Sequence, residues 1–245
     1  MRERVKVFRF EVVSSTMDIA KEVLKRESPP FVVTANHQTA GRGRGNNIWQ
    51  NVKEGFYGTF VLRTSGEKIA EGFSVYLGFK VLRALGLEKG QACLKWPNDL
   101  ISKQSKKFGG ILIEMHNQQS YAGEMAFFAL IGIGLNIAVE QGENPEFASL
   151  KEFGIALSRE DLLETLKNVV LDSFDEFSKD HFRLPTEEIL PILAFRDQWI
   201  KIAERPEKMR LKGLTEDGRL VCATTDNRII ELLTATSLRP CDSET

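Results

Sequence analysis

Gln38-Thr39-Ala40-Gly41-Arg42-Gly43-Arg44-Gly45-Asn46-Asn47-Ile48-Trp49 is the stretch around which the other segments of this 245-residue chain fall into place. Glycine alternates with arginine, and a tryptophan closes the run. Glycine frees the backbone for positive φ and for close approach to a ligand. Arginine brings a planar, permanently charged fork that matches carboxylate and phosphate. A loop of this composition can fold over a small anionic ligand. A surface turn with solvated arginines has the same composition, so the flanking segments must discriminate.

Upstream, Val5 to Val13 is rich in β-branched and aromatic residues and reads as a strand. Ser14-Ser15-Thr16-Met17-Asp18 then opens a helix, with Ser15 and Asp18 spaced as a capping-box variant. Met17, Ala20, Val23 and Leu24 form its apolar stripe, and Ser28-Pro29-Pro30 ends it. Ser15 and Thr16 suffice as caps, but a helix N-terminus also attracts anions. Phe31 to Asn36 reads as a buried strand running directly into the Gly/Arg stretch.

Downstream, Gly55 to Arg63 is the next strand, and Ile69 to Leu85 has strongly helical spacing with Gly86 as its C-terminal stop. Lys95-Trp96-Pro97-Asn98-Asp99 places a rigid corner at a strand end, because proline fixes φ and removes a donor. Asn98 and Asp99 there can hold a hydroxyl, a phosphate-bound metal or a neighbouring loop, or form a plain turn. Ser102 to Lys107 is a polar hairpin turn, and Phe108 to Met115 a strand. Gly109 and Gly110 in that strand mark a bulge or close approach of a ligand, with Lys107 directly ahead of them. Ala126 to Ile133 reads as a central strand ending in Gly132-Ile133-Gly134-Leu135-Asn136. Ser158 and Asp161 cap a long helix with Leu162, Leu163, Leu166, Val169, Val170, Phe174 and Phe177 on its buried face. The spacing predicts a further helix over Thr186 to Ile200, kinked or restarted at Pro191, with Ile189, Ile192, Leu193, Phe195 and Trp199 inward. From about Lys201 the pattern changes to short strands punctuated by Glu216-Asp217-Gly218 and Asp226-Asn227. Two domains are expected, residues 1–200 and a small β domain over residues 201–245.

The bulk properties exclude several function classes. Hydrophobic content of 42% and charged content of 27% describe an ordinary globular chain. Lys+Arg 33 against Asp+Glu 34 leaves none of the basic footprint of a polyanion binder. Cys93, Cys222 and Cys241 are far apart and lack metal-ligand spacing, so free thiols in a reducing compartment are expected. No secretory signal pattern or spanning apolar run occurs, which makes a soluble cytoplasmic protein the expectation. Neither G-x-G-x-x-G nor a Walker A signature is present, His37, His116 and His181 are scattered, and no G-x-S-x-G elbow occurs.

In order and spacing, Ser15-Thr16, Gln38 to Arg44 with the trailing Trp49, Lys95 to Asp99, Lys107-Phe108-Gly109-Gly110-Ile111-Leu112 and Gly132 to Asn136 together resemble the motifs of biotin–protein ligases. The resemblance spans roughly Phe8 to Ala138, and the β-rich tail is similar to that family's small C-terminal SH3-like domain. The loop is closer to the eukaryotic holocarboxylase synthetase form. Asn46 stands where the family usually has a second glycine; asparagine tolerates left-handed geometry better than most residues.

The resemblance implies an α+β fold: a mixed, largely antiparallel central sheet with helices on one face, as in class II synthetases, plus the SH3-like domain. It also implies two half-reactions. Biotin carboxylate attacks the α-phosphate of ATP to give biotinyl-5′-adenylate and pyrophosphate, and a lysine of a biotin carboxyl carrier domain then takes the biotinyl group. Arg42 and Lys107 would screen the reacting charges. Ser15, Thr16 and Gln38 would bond the ureido ring or support its pocket, and Gly41, Arg42, Gly43, Arg44, Lys107, Gly110 and Gly132 would complete the biotin site. Trp49 would stack on adenine, Asn136 would serve the nucleotide, Arg44 would retain the adenylate, and Asn98 and Asp99 would meet phosphate or metal or brace the loop. Mg²⁺ would shield the triphosphate, with Asp99 its one candidate ligand. The loop is expected to be mobile without ligand and to order over it, and a homodimer is implied. The chain starts at the catalytic domain, so no DNA-binding repressor role is expected, and no membrane partner. Two alternatives stay open: a lipoate or octanoate ligase or transferase of the same superfamily, and a non-catalytic biotin-binding protein.

Overall fold

Alternation along the strands decides where the helices pack. In the computed structural model, which describes residues 5–64, 72–88, 90–119, 125–140, 142–235 and 237–241, a seven-stranded sheet forms the main body. Its strands are β1 (Lys6–Val13), β2 (Phe31–Gln38), β3 (Glu54–Thr64), β4 (Ala92–Lys95), β5 (Asp99–Ser102), β6 (Lys107–Gln119) and β7 (Met125–Ala138), in the order β1-β2-β3-β7-β6-β5-β4. Only β1 and β2 are parallel; every other neighbouring pair is antiparallel. Successive side chains of a strand face opposite sides. Phe31, Val33, Val61 and Leu130 therefore cluster with Met17, Ala20 and Val23 of α1 (Thr16–Leu24). Val32, Phe60, Leu62 and Ile131 face the other way, into a core shared with α2 (Phe73–Ala84) and α3 (Arg159–Phe177). The two longer helices share one face as expected, but α1 covers the opposite one. Each large apolar side chain buried on either face contributes roughly 1.5–3 kcal/mol.

Two local expectations are corrected. Ser15 caps α1 by accepting a bond from Met17 N at 3.3 Å, but Asp18 does not close a capping box; it turns to Arg42 instead. The helix expected over Thr186 to Ile200 is only α4 (Thr186–Ile189) followed by a single 3₁₀ turn, Leu190–Ile192. Phe195 and Asp197 then take left-handed backbone, with φ of 61° and 62°. Trp199 opens the strand β8 (Trp199–Ile202), where Ile200, not Trp199, is buried. By contrast α3 carries the full capping box of Ser158 and Asp161. The start expected for α2 near Ile69 lies outside the described residues.

β8 belongs to a second sheet with β9 (Met209–Leu214), β10 (Leu220–Ala223), β11 (Ile229–Leu232) and β12 (Leu238–Pro240), antiparallel throughout in the order β11-β10-β9-β8-β12, the small SH3-like β unit. It docks on the corner of the main sheet, where Trp96 Nε1 donates to Gly218 O at 2.9 Å and Ala194 N to Leu94 O at 2.9 Å. Among the described residues no helix is long and apolar enough to cross a membrane.

Candidate active site

A cavity of about 340 Å³ opens where the N-terminus of α1, the Gly/Arg stretch, the Lys95–Asp99 corner and β12 converge. All five sequence motifs contribute residues to its lining.

One wall is neutral and fully engaged. Gln38, at the end of β2, is buried, and its Oε1 accepts from Thr16 N at 2.8 Å and from Thr16 Oγ1 at 3.1 Å. Thr59 Oγ1 donates to Thr16 Oγ1 at 2.9 Å from below. The network fixes the Gln38 amide, and Thr16 and Gln38 both line the cavity. Thr59, which no motif contains, completes it.

The facing wall is cationic. Lys107, the first residue of β6, pairs with Asp99 at 2.6 Å and lies 5.0 Å from the centre of the Trp49 ring. Its backbone is clamped on both sides, by Glu146 O at 2.9 Å and Ala148 N at 2.9 Å. Asn136 Nδ2 donates to Ala148 O at 3.0 Å and to Lys107 O at 3.3 Å. Asn136 is therefore buried behind Lys107 and is not among the residues lining the cavity. Asn98 likewise braces: its Nδ2 donates to Ile111 O at 2.9 Å while its O accepts from Ile111 N at 2.9 Å. Lys95, to which the corner motif gave no role, lines the same wall. Burial pushes its ammonium down from the usual lysine range; Asp99 opposes the shift, and Lys107 and Arg239 add to it. Arg239 of β12 also lines the cavity. No sequence signal pointed to Arg239, because it enters through the docking of the second sheet.

The Gly/Arg stretch is a short hairpin over this space. Arg42 and Ile48 bridge antiparallel, Gly43 N donates to Asn47 O at 2.8 Å, and Trp49 N to Gly41 O at 2.9 Å. Gly45 supplies the left-handed turn residue at φ 58°, so Asn46 is not asked to. The two arginines diverge. Arg44 Nη1 donates to Ala235 O at 2.9 Å and Nη2 to Thr234 Oγ1 at 2.5 Å, in the second sheet's connection. Burial lowers the Arg44 pKa, against the charges of Asp99 and Glu204. Arg42 instead spans Asp18 at 2.9 Å, read in sequence only as a helix cap, and Glu114 at 2.7 Å, which the sequence reading did not select.

The glycines serve the protein's own side chains. A Cβ on Gly134 would lie 2.6 Å from Trp49 Cζ2, and one on Gly110 2.9 Å from Trp49 Cζ3. The paired residues Gly110 and Gly134 thus cut a notch in the sheet for the indole. A Cβ on Gly132 would meet Met17 Sδ at 3.1 Å, and both residues line the cavity. Gly41 lies beneath the hairpin and outside the cavity lining.

Resident metal binding does not fit. Among the described residues no group of three or more His, Cys, Asp and Glu side chains converges. Asp99 is the one carboxylate among the cavity-lining residues; Lys107 holds it and Lys95 lies beside it. Cys93 is half-buried outside the lining, and burial pushes its thiol up, away from nucleophilic chemistry.

Known proteins share this architecture. The model of the Biotin/lipoate A/B protein ligase family matches residues 9–136. Biotin–protein ligase 2 of Arabidopsis thaliana is 26% identical over 236 residues, covering 90% of this chain and 70% of that protein. The bifunctional ligase/repressor BirA of Escherichia coli (strain K12) is 30% identical over 205 residues, covering 76% of this chain and 60% of that protein, so the match spans less than two thirds of its length. Among solved structures, the biotin protein ligase from Aquifex aeolicus in complex with biotin and ATP superposes with a TM-score of 0.74 at 27% identity, covering 96% of this chain and 99% of that one.

Proposed function

The chain belongs to the Biotin/lipoate A/B protein ligase family, on the side of the biotin–protein ligases, and from that premise we propose that it activates biotin with ATP and transfers the biotinyl group to a lysine of a biotin carboxyl carrier domain. The observation that carries this reading is the meeting of two unlike walls in one cavity. The neutral Thr16–Gln38 wall offers uncharged hydrogen-bonding groups suited to a ureido ring. The Lys107–Lys95 wall presents positive charge suited to phosphate.

In the first half-reaction a biotin carboxylate oxygen attacks the α-phosphorus and pyrophosphate leaves. Both reactants are anionic, so alignment and charge screening are what the protein must supply. Lys107 is placed for this by Asn136 and the 146–148 segment, and incoming phosphate competes with Asp99 for its ammonium. Magnesium is written here as part of the Mg–ATP substrate, in keeping with its habit of binding through phosphates with few protein ligands. In the second half-reaction the carrier lysine amine attacks the anhydride carbonyl and AMP leaves. The hairpin, seated by Trp49 in its glycine notch and by Arg44 on the second sheet, excludes water from the hydrolysable anhydride meanwhile.

Incubation of the chain with labelled biotin, Mg–ATP and an apo carrier domain tests the reading. Label on the carrier lysine and release of pyrophosphate are expected. Biotin binding without transfer would leave a binding protein, and pyrophosphate release driven by lipoate but not by biotin would move the assignment to the lipoate branch. The octanoyl-transfer alternative, which works through a cysteine, is disfavoured by the position of Cys93.

A further inference from the structure

Arg42 is the residue whose observed contacts differ most from its expected one. Its guanidinium is held at the rim by two carboxylates from different elements, Asp18 of α1 at 2.9 Å and Glu114 of β6 at 2.7 Å. The second oxygen of Glu114 is engaged by Lys21 of α1 at 2.7 Å, which fixes the carboxylate's orientation. Asp18 follows Met17, and Glu114 lies two residues beyond Leu112 on the same strand face; Met17 and Leu112 both line the cavity. The acidic pair thus stands just outside the ligand space. The Arg42, Asp18 and Glu114 side chains remain 38%, 46% and 22% exposed, so these bonds exchange with solvent and with competing anions at modest cost.

The proposed reaction supplies such a competitor and then removes it. Free biotin carries a carboxylate. In the adenylate that oxygen is bonded to phosphorus and the carboxylate charge is gone, the electron pair of the broken P–O bond having left with pyrophosphate. We infer that Glu114 and Asp18 are positioning residues that hold Arg42 in reserve: the substrate carboxylate draws Arg42 inward, and formation of the acyl phosphate returns it to the acidic pair, fastening the hairpin over the intermediate. The inference rests on the ligase reading above. It assigns to two residues outside every motif the control of when the lid arginine meets substrate and when it meets protein.

The test compares biotin with biotinol, which keeps the rings and chain but has an alcohol in place of the carboxylate. Full-length wild type, Glu114→Gln and Asp18→Asn are titrated with each ligand, and release of preformed biotinyl-adenylate is timed. With the competitor neutralised, biotin affinity rises about threefold to tenfold while biotinol affinity changes by less than about twofold. Adenylate release speeds up roughly fivefold, and Glu114→Asp restores both readouts in part. A merely structural role would weaken both ligands together. Parallel shifts for biotin and biotinol, or unchanged adenylate release in both variants, overturn the inference while leaving the ligase reading intact. Absence of biotin binding by wild type removes that reading and this inference with it. Asp18→Asn, on a half-exposed side chain, keeps the comparison alive should Glu114→Gln disturb the sheet.

Discussion

The two walls of the cavity are built on opposite plans. The Thr16–Gln38 wall is neutral, buried and already hydrogen-bonded to itself, with Thr59 closing the network from below. The Lys107–Lys95 wall carries charge that its single carboxylate, Asp99, leaves under-compensated. The first is held in one arrangement by its own hydrogen bonds, which on the proposed function suits an uncharged ring system. The second is incomplete without an anion. Specificity and chemistry are thereby placed on different elements, and each can be perturbed separately.

The largest perturbation is expected at Lys107. Lys107→Ala removes charge where it develops during attack, and should slow adenylate formation about 10²-fold to 10³-fold while biotin affinity changes little. Stopped-flow pyrophosphate release beside biotin titration measures both, and equal losses in the two would sink the assignment. On the other wall, Gln38→Ala leaves Thr16 N and Oγ1 without their acceptor, a cost of about 1–3 kcal/mol. Biotin affinity should fall roughly tenfold or more with ATP affinity preserved; loss of ATP affinity instead would show that the walls are not independent. Arg44→Gly cuts the hairpin from Thr234 and Ala235 and should speed adenylate escape about fivefold, read by rapid filtration. Retention at the wild-type level would separate the hairpin from the second sheet.

The smallest effect is a pH dependence. Burial lowers the Lys95 pKa in the folded chain below the ordinary 10.5, so the folded state releases this proton before the unfolded state does. Relative to the unfolded chain, the native state therefore gains stability as pH rises from the lowered value to the ordinary one. An anion binds the protonated form, so ATP affinity should move the other way, falling as pH passes the lowered value. Titration of ATP binding from about pH 8 upward should show a decline of about twofold to threefold that Lys95→Met flattens. An identical profile in the variant would assign the decline to another group.

Legibility in the sequence followed the range of the interactions. The apolar runs of β2, β3 and β7, the stripe of α1 and the capping box of α3 are local patterns, and they folded as read. The stripe Ile189, Ile192 and Leu193 has helical spacing too, but Pro191 and the left-handed residues Phe195 and Asp197 stop the helix where periodicity alone would carry it on. Most of the selected motif residues reached the cavity, Gly41 and Asn136 excepted; their partners were not visible. Glu114 meets Arg42 only because sheet register brings β6 beside α1 and the hairpin. The glycines of the fourth and fifth motifs look like ligand clearance in sequence, whereas Gly110 and Gly134 accommodate Trp49, a residue about 60 and 85 positions away. Arg239 required the docking of a whole second sheet.

The bond from Arg44 to Thr234 has a consequence in time as well as in space. Its partners lie 190 residues apart, and chain leaves the ribosome at about 5–20 residues per second, with N-terminal parts folding first. Gln38, Lys107 and the glycine notch are all synthesised well before the segment on which the hairpin's second arginine rests. A nascent chain thus carries Gln38 and Lys107 well before it carries the partners that hold the hairpin. Anchoring of the hairpin is gained late in synthesis, after most of the cavity lining has been made.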